Sequence, residues 1–469
     1  MRLRQITTRP EAWLVGTAAA VIYVMVAITQ WRSLAAPSWD LAIFTQLAKA
    51  YSNAEAPIVP IKGPGFNLLG DHFHPILVLL GPVYALFPSG LTLLVVQALL
   101  IALSAGPLTA LAVRRLGRWP GVVLGVVYVL SYGIQGAART QFHEISFALP
   151  LLSFGLVALL ERRWRAAALW LAPVVFVKED LGLMVAVLGL VMWWRGARRL
   201  GLGLAAWGAA WFVLATAVIL PALNPRGQYD YTDNLVLGDA LGDPLGTLAE
   251  VLTPGEKVVT VLLLVAMAGG LRSPILLAAV PTLAWRFLGD VPFYWTWIWH
   301  YDAVLMPLAV AALLDGLDRR PMDDKATDDG APARPARAPR RGLLAVGMAA
   351  LTVVLTAPSL PVAALFQAET WRASPRAPAA REVLDTVPDG AVVASDIALL
   401  AYLVPTTTTL WSGTPDNPAA DYYVIDRDGP TWRGDPPADA ASYAESKHPG
   451  TRYEIVLDRG GYQVARRAD

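Results

Sequence analysis

The side chains able to do chemistry in this chain stand at the ends of apolar runs. Asp40 lies in SWDLAIFTQ; Asp71, His72 and His74 in GDHFHP; and Arg139, His143 and Glu144 in RTQFHEIS. Lys178, Glu179 and Asp180 interrupt FVKEDLGL, and Arg286, Asp290, His300 and Asp302 flank WRFLGDVPFYWTWIWHYD. Four of the five histidines fall in these strings, which selects them over a random scatter. A carboxylate in such a set can deprotonate an attacking hydroxyl, while Lys and Arg hold an anionic leaving group. The His-x-His pair offers only two metal ligands, so a divalent ion such as Mg or Mn held by Asp71, His72 and His74 is the minor option. No cysteine is present, which removes disulfides, thiolate nucleophiles and Cys-ligated metals.

Each string also has a plainer explanation. Asp40 could cap the helix that runs through LAIFTQLAKAY. Asp71, His72 and His74 could anchor a helix at an interface, and Glu144 could suit the positive end of the helix it starts. Lys178, Glu179 and Asp180 could neutralise one another in a turn. Arg286 could snorkel outward, and Trp295, Trp297 and Trp299 form the aromatic belt of an interface. Their coincidence carries more weight than any one of them.

The elements that must position these residues are membrane helices. Hydrophobic residues make up 55% of the chain and charged ones only 16%, a balance that fits a multi-pass membrane protein and no soluble domain of this length. The net charge of +1 leaves no basic surface for nucleic acid. Apolar runs predict helices near 12–31, 91–113, 119–137, 145–160, 202–223, 257–271, 274–288, 303–317 and 342–358. Two shorter runs, 166–177 and 181–194, meet at the Lys178-Glu179-Asp180 elbow, where charge is tolerated only if protein or water covers it.

That makes about eleven segments. Their alternation puts every basic cluster on one side: Arg2, Arg4 and Arg9; Arg114, Arg115 and Arg118; Arg162, Arg163 and Arg165; Arg195, Arg198 and Arg199; Arg272; and Arg319 to Arg341. Basic loops stay cytoplasmic, so the N-terminus is expected inside and the C-terminus outside, in the cell membrane. The first helix is read as uncleaved, because Trp31-Arg32 closes it where a cleavage site would need small residues. The chemistry-bearing strings then share the outer face.

Residues 1–360 are thus expected to form the transmembrane domain, with a first outer loop over 32–90 and a disordered cytoplasmic linker over 318–341, rich in Pro, Ala and charge. Residues 361–469 form a small extracytoplasmic α/β domain. Its strands are read from GAVVAS, TTTLW, DYYVID and the pair YEIVLD and YQVARR around Gly460-Gly461, with helices near 378–386 and 437–446.

The ordered strings WDLAIFTQ, GDHFHPILVLLGPVYALFPSGLTLLVVQALLIALSAGPL, FHEISFALPLL, FVKEDLGLMVAVLGL and WHYDAVLMPLAVAAL span residues 37 to about 316. They resemble a family of bacterial predicted membrane proteins, domain of unknown function 2079, grouped with the membrane glycosyltransferases of the C superfamily (GT-C). The resemblance implies a multi-helix enzyme that uses sugars linked to a lipid phosphate, with an aspartate of the first outer loop as general base or metal-supported acid. Asp40 is the matching residue. In many members that aspartate has an acidic neighbour; here the flanks are Trp39 and Leu41, a departure that bears on metal dependence and leaves the base role.

By the same resemblance Lys178 faces the carrier phosphate, Glu179 or Asp180 orients it, and the outer domain recognises the acceptor. The expected activity is transfer of a sugar from a polyprenyl-phosphate carrier to a cell-envelope glycan, lipid or protein at the extracytoplasmic face. Arg286 or Arg139 would help stabilise the departing phosphate, and His72, His74, His143, Glu144 and His300 would shape the cavity. A transporter or flippase of an anionic or lipid-linked substrate is the competing reading, with a non-catalytic scaffold as the third. Transport would want ionisable groups at mid-depth in several helices, whereas here they gather at helix ends.

Overall fold

The computed structural model describes residues 9–34, 39–231, 253–317, 340–429 and 434–468, with the single positions 246 and 432. The linker expected over 318–341 lies outside them except for Arg340 and Arg341, which already belong to the helix Arg340–Thr356. Among the described residues, five helices are long and apolar enough to cross a membrane: Pro10–Arg32, Gly90–Leu116, Arg118–Arg139, Arg198–Leu223 and Arg340–Ser359. Pro292–Asp302 and Leu305–Leu317 form a bent pair, broken at 70°, that is a broken span or a re-entrant loop. Glu144–Leu160, Trp164–Phe176, Leu181–Trp194 and Pro274–Leu288 are apolar but shorter, so the expected eleven segments divide into spans and shorter pieces that need neighbours to cover their ends.

Small residues let these helices approach. Leu181–Trp194 and Arg198–Leu214 form an antiparallel pair whose glycines face one another, and a Cβ on Gly182 would stand 2.7 Å from the Gly208 carbonyl oxygen. Such contacts replace the hydrophobic drive that lipid cannot provide. Pro75 opens the short helix Pro75–Leu86, twelve residues that cannot cross a bilayer core of about 30 Å.

Ion pairs tie the basic helix ends together. Arg114 and Arg163 both pair with Glu161, Arg195 pairs with Asp315, and Arg115 donates to the Leu314 and Leu160 carbonyls. Because Glu144–Leu160 and Leu181–Trp194 reach this end with their C-termini, their N-termini, which carry Glu144 and the Lys178-Glu179-Asp180 elbow, stand at the other.

At that other end lies a five-stranded sheet of order β2-β1-β3-β5-β4, with β1 Val392–Ser395, β2 Thr408–Trp411, β3 Tyr422–Asp426, β4 Arg452–Arg459 and β5 Tyr462–Ala468. β1 pairs in parallel with β2 and β3, while β3–β5 and β5–β4 are antiparallel, the last pair closed through Gly460 and Gly461 at positive φ. All five strands fall within or next to the runs read as strands from alternation. Helices Ala377–Thr386 and Ala440–Lys447 cover the sheet.

The sheet is seated on the helix Trp39–Ser52, which is why almost every face of that helix is buried. Gln46 donates from Nε2 to the Thr409 carbonyl at 2.9 Å and accepts the Ile61 N–H on Oε1 at 3.0 Å. Lys49 donates to the Val404 and Thr407 carbonyls at 2.8 and 3.0 Å, and Trp39 meets Trp411 edge to face at 4.7 Å. Replacing Gln46 by Ala strands a buried N–H and a buried carbonyl. A loss of about 1–3 kcal/mol in stability is expected, read as a lower unfolding temperature and faster proteolysis between residues 360 and 400.

Candidate functional site

The residues singled out from the sequence assemble into two linked groups. In the first, Asp40 lies in the first turn of Trp39–Ser52, where the helix dipole favours negative charge. Its Oδ2 is 3.5 Å from His143 Nε2. His143 stacks on His300, with ring centroids 3.7 Å apart, and both stand beside the aromatic loop that closes over them. Gly136 makes this approach possible, since a Cβ there would lie 2.6 Å from the Trp299 carbonyl oxygen. Phe44, one turn along from Asp40, presents an edge to His143 and to His74.

The second group is built around the elbow. Lys178 Nζ pairs with Glu144 Oε1 at 3.2 Å. Glu179 accepts from three sides: His72 Nδ1 at 2.7 Å, the Phe73 N–H at 3.0 Å and the Tyr229 hydroxyl at 3.1 Å. Asp180 accepts the Trp285 indole N–H at 3.0 Å. Asp71 pairs with Lys62 at 3.1 Å, and Tyr231 stacks on His72 while its hydroxyl reaches Asp71.

The titrating groups of the segment before Pro75 follow these partners. Burial would raise the Asp71 carboxyl, but the His72 and Lys62 charges outweigh it and hold Asp71 below the ordinary carboxylate range. Burial and the Lys178 charge both disfavour protonated His72, yet Glu179 and its hydrogen bond prevail, so His72 is raised and favours the imidazolium. His74 goes the other way. Burial pushes it down to about 4, so at neutral pH it is an uncharged ring against Phe44.

Three expectations need correcting. Arg286 is not placed to meet a phosphate: its guanidinium is fully buried, paired with the equally buried Asp302 at 2.8 Å, with the Tyr294 and Thr296 carbonyls taking its other donors. It holds the aromatic loop in position from inside. Asp71, His72 and His74 do not converge as metal ligands either, because the first two are engaged by Lys62 and Glu179 and the third faces Phe44. Among the described residues no group of three His, Asp or Glu is placed to hold a metal ion. Arg139 is exposed and donates to the Ser359 carbonyl at 3.2 Å, outside both groups.

Sequence reading missed Lys62, Tyr229, Tyr231 and Trp285. Lys62 shares the stretch between Ser52 and Pro75 with Asp71 and was visible as the basic residue nearest GDHFHP. The two tyrosines in GQYDYTDN carry no charge signal. Their part emerges only when the loop after Arg198–Leu223 folds back over His72.

The fold is also found in a solved protein. The chain superposes on ArnT from Cupriavidus metallidurans, a crystal structure with bound undecaprenyl phosphate, with a TM-score of 0.51 over 97% of both chains at 13% sequence identity. At that identity the likeness is one of fold. No curated protein matches the sequence. A family model described as "Predicted membrane protein (DUF2079)" matches residues 30–464, from the end of the first span to the last strand of the sheet, and the chain therefore belongs to that family of predicted membrane proteins.

Proposed function

We propose that this protein is an integral membrane glycosyltransferase that moves a sugar from a polyprenyl-phosphate carrier to an acceptor at the extracytoplasmic face, with Asp40 as general base. One observation carries the reading. Among the described carboxylates of the two groups, Asp40 is the most open, its side chain 50% exposed beside a buried histidine pair. Asp71, Glu144, Glu179 and Asp302 are at most 15% exposed and held in ion pairs. Asp180, in no ion pair among the described residues, is half-buried and accepts the Trp285 indole N–H. A base must reach its substrate, and a carboxylate held in a buried ion pair is not placed to do so. The ArnT fold, in a protein solved with undecaprenyl phosphate, supports a GT-C architecture and a carrier of that chemical class.

In the reaction, Asp40 accepts the proton of the acceptor hydroxyl as its oxygen attacks the anomeric carbon. The bond from that carbon to the carrier phosphate breaks, its electron pair leaves with the phosphate, and the configuration inverts. His143 steadies Asp40, and Lys178, 10% exposed behind Glu144, contributes positive charge towards the departing phosphate. Glu179 and Asp180 fix the elbow that carries Lys178. The basic ends gathered opposite this site support a cytoplasmic N-terminus and an outer C-terminal domain, which would offer the acceptor to the helix that bears Asp40. The charge sits at helix ends, which favours surface transfer over translocation.

The test is reconstitution in lipid vesicles with polyprenyl-phosphate sugars and cell-envelope acceptors. Release of polyprenyl phosphate that depends on the acceptor is expected, falling about 10- to 100-fold in Lys178→Ala as one electrostatic contact to the leaving group is lost. Failure of every donor to release its carrier, together with movement of an intact lipid-linked sugar across the bilayer, would replace transfer with transport.

A further inference from the structure

The first span, the last span and the helix Tyr132–Arg139 end at one level. Gln30 donates to the Ala138 carbonyl at 2.8 Å, Arg139 to the Ser359 carbonyl at 3.2 Å, and Gln135 accepts the Val362 N–H at 3.1 Å. Just beyond that level the chain crosses to the outer domain through Pro361–Ala364 and Ala368–Trp371. Between this crossing and the end of the first span opens a cavity of about 810 Å³. Arg32, Arg372 and Arg381 line it together, with Glu369 the single carboxylate among the described lining residues, 3.9 Å from Arg372 and as exposed as its partner.

Two aromatic rings mark the same crossing. Phe366 is 88% exposed and Trp371 52%, and the Trp371 indole N–H is already satisfied by the Leu365 carbonyl at 2.8 Å. Water is a poor partner for rings presented this way, whereas the headgroup zone of a bilayer accommodates an apolar ring with a satisfied polar edge. Below them the last span shows Val354 and Leu355 outward, 68% and 66% exposed, as a lipid-facing surface does. Three guanidinium groups above such a surface are matched by a phosphate, and Arg suits that oxygen geometry because it can bond two oxygens at once.

We propose that this cavity binds the phosphate headgroup of an anionic glycerophospholipid, with the acyl chains on the apolar surface below Phe366 and Trp371. The inference does not depend on glycosyl transfer, since Arg32, Arg372 and Arg381 make no hydrogen bond or ion pair with Asp40, His143 or Lys178. A lipid seated there would join the first span to the root of the outer domain, and so bear on the seat of the helix that carries Asp40.

The experiment uses the full chain in nanodiscs of mixed phosphatidylglycerol and phosphatidylcholine, with co-purified lipid counted by native mass spectrometry. Wild type is expected to retain phosphatidylglycerol preferentially. The triple variant Arg32→Gln, Arg372→Gln, Arg381→Gln is expected to lose that preference by about ten- to a hundredfold, the scale of three basic contacts at a lipid surface. Arg452→Gln, at the exposed start of β4, should keep it. Phe366→Asp should weaken retention with all three arginines in place. An unchanged preference in the triple variant would overturn the proposal. Displacement of the lipid by millimolar inorganic phosphate would overturn it too, assigning the arginines to a soluble anion.

Discussion

Asp40→Asn is expected to lower turnover by about 10²- to 10⁴-fold, the range a positioned general base contributes, while leaving the apparent affinity for the lipid-linked donor nearly unchanged. The substitution is close to isosteric, keeps a polar group within reach of His143, and removes only the capacity to take a proton. The plainer role for Asp40, favouring the first turn of Trp39–Ser52, makes a different forecast. Losing one charge at a helix N-terminus costs about 0.3–1 kcal/mol of stability and would shift the unfolding temperature without touching the chemical step. Turnover and thermal unfolding measured on the same preparation therefore separate the two. Wild-type turnover in Asp40→Asn would remove Asp40 from the mechanism, and a loss of donor binding in step with turnover would make it a binding residue instead. Asp40→Glu should recover only part of the rate, because the longer side chain moves the acid away from His143, which now stands 3.5 Å from it.

Sequence logic reached the helices and the sheet because both leave periodic traces. Long apolar runs between basic clusters have one economical solution in a bilayer, and alternation around Gly460-Gly461 allows little besides a hairpin. Run length already sets Trp164–Phe176 and Leu181–Trp194 apart as short, but Glu144–Leu160 and Pro274–Leu288 read as ordinary segments and only the structure shows them to be short as well.

The site was legible as a list of residues and illegible as a set of pairs. Lys178 has two acids directly after it in sequence, yet its ion-pair partner is Glu144, brought in from another helix start. Glu179 turns instead to His72, 107 positions away. Local charge strings show that compensation is needed but not which partner provides it, because adjacent side chains at a helix start point in different directions. The openness of Asp40 was beyond sequence for the same reason. It is a consequence of which carboxylates the histidines, lysines and tyrosines engage.

Arg286 illustrates the cost of reading charge without its partner, and it sets the largest stability effect expected for this chain. Both Arg286 and Asp302 are completely buried. Arg286→Ala leaves an uncompensated carboxylate inside the protein and frees the Tyr294 and Thr296 carbonyls that the guanidinium now anchors. A loss of about 3–5 kcal/mol is expected, the usual result of breaking a buried pair by removing one member. Arg286→Lys should recover little, because an ammonium cannot reproduce the fork that binds the carboxylate and both carbonyls together.

The double variant Arg286→Met with Asp302→Leu removes both charges and should restore much of the lost stability, as apolar replacements of buried pairs commonly do. If the double variant is as unstable as Arg286→Ala, the carbonyl anchoring of the loop outweighs the charge pair. If Arg286→Ala unfolds at the wild-type temperature while losing donor affinity, Arg286 is a phosphate-binding residue and its buried geometry is not the working one. A fall in stability that carries turnover with it is the outcome that fits the structure, because the loop Arg286 anchors also carries His300, and His300 backs the His143 ring that meets Asp40.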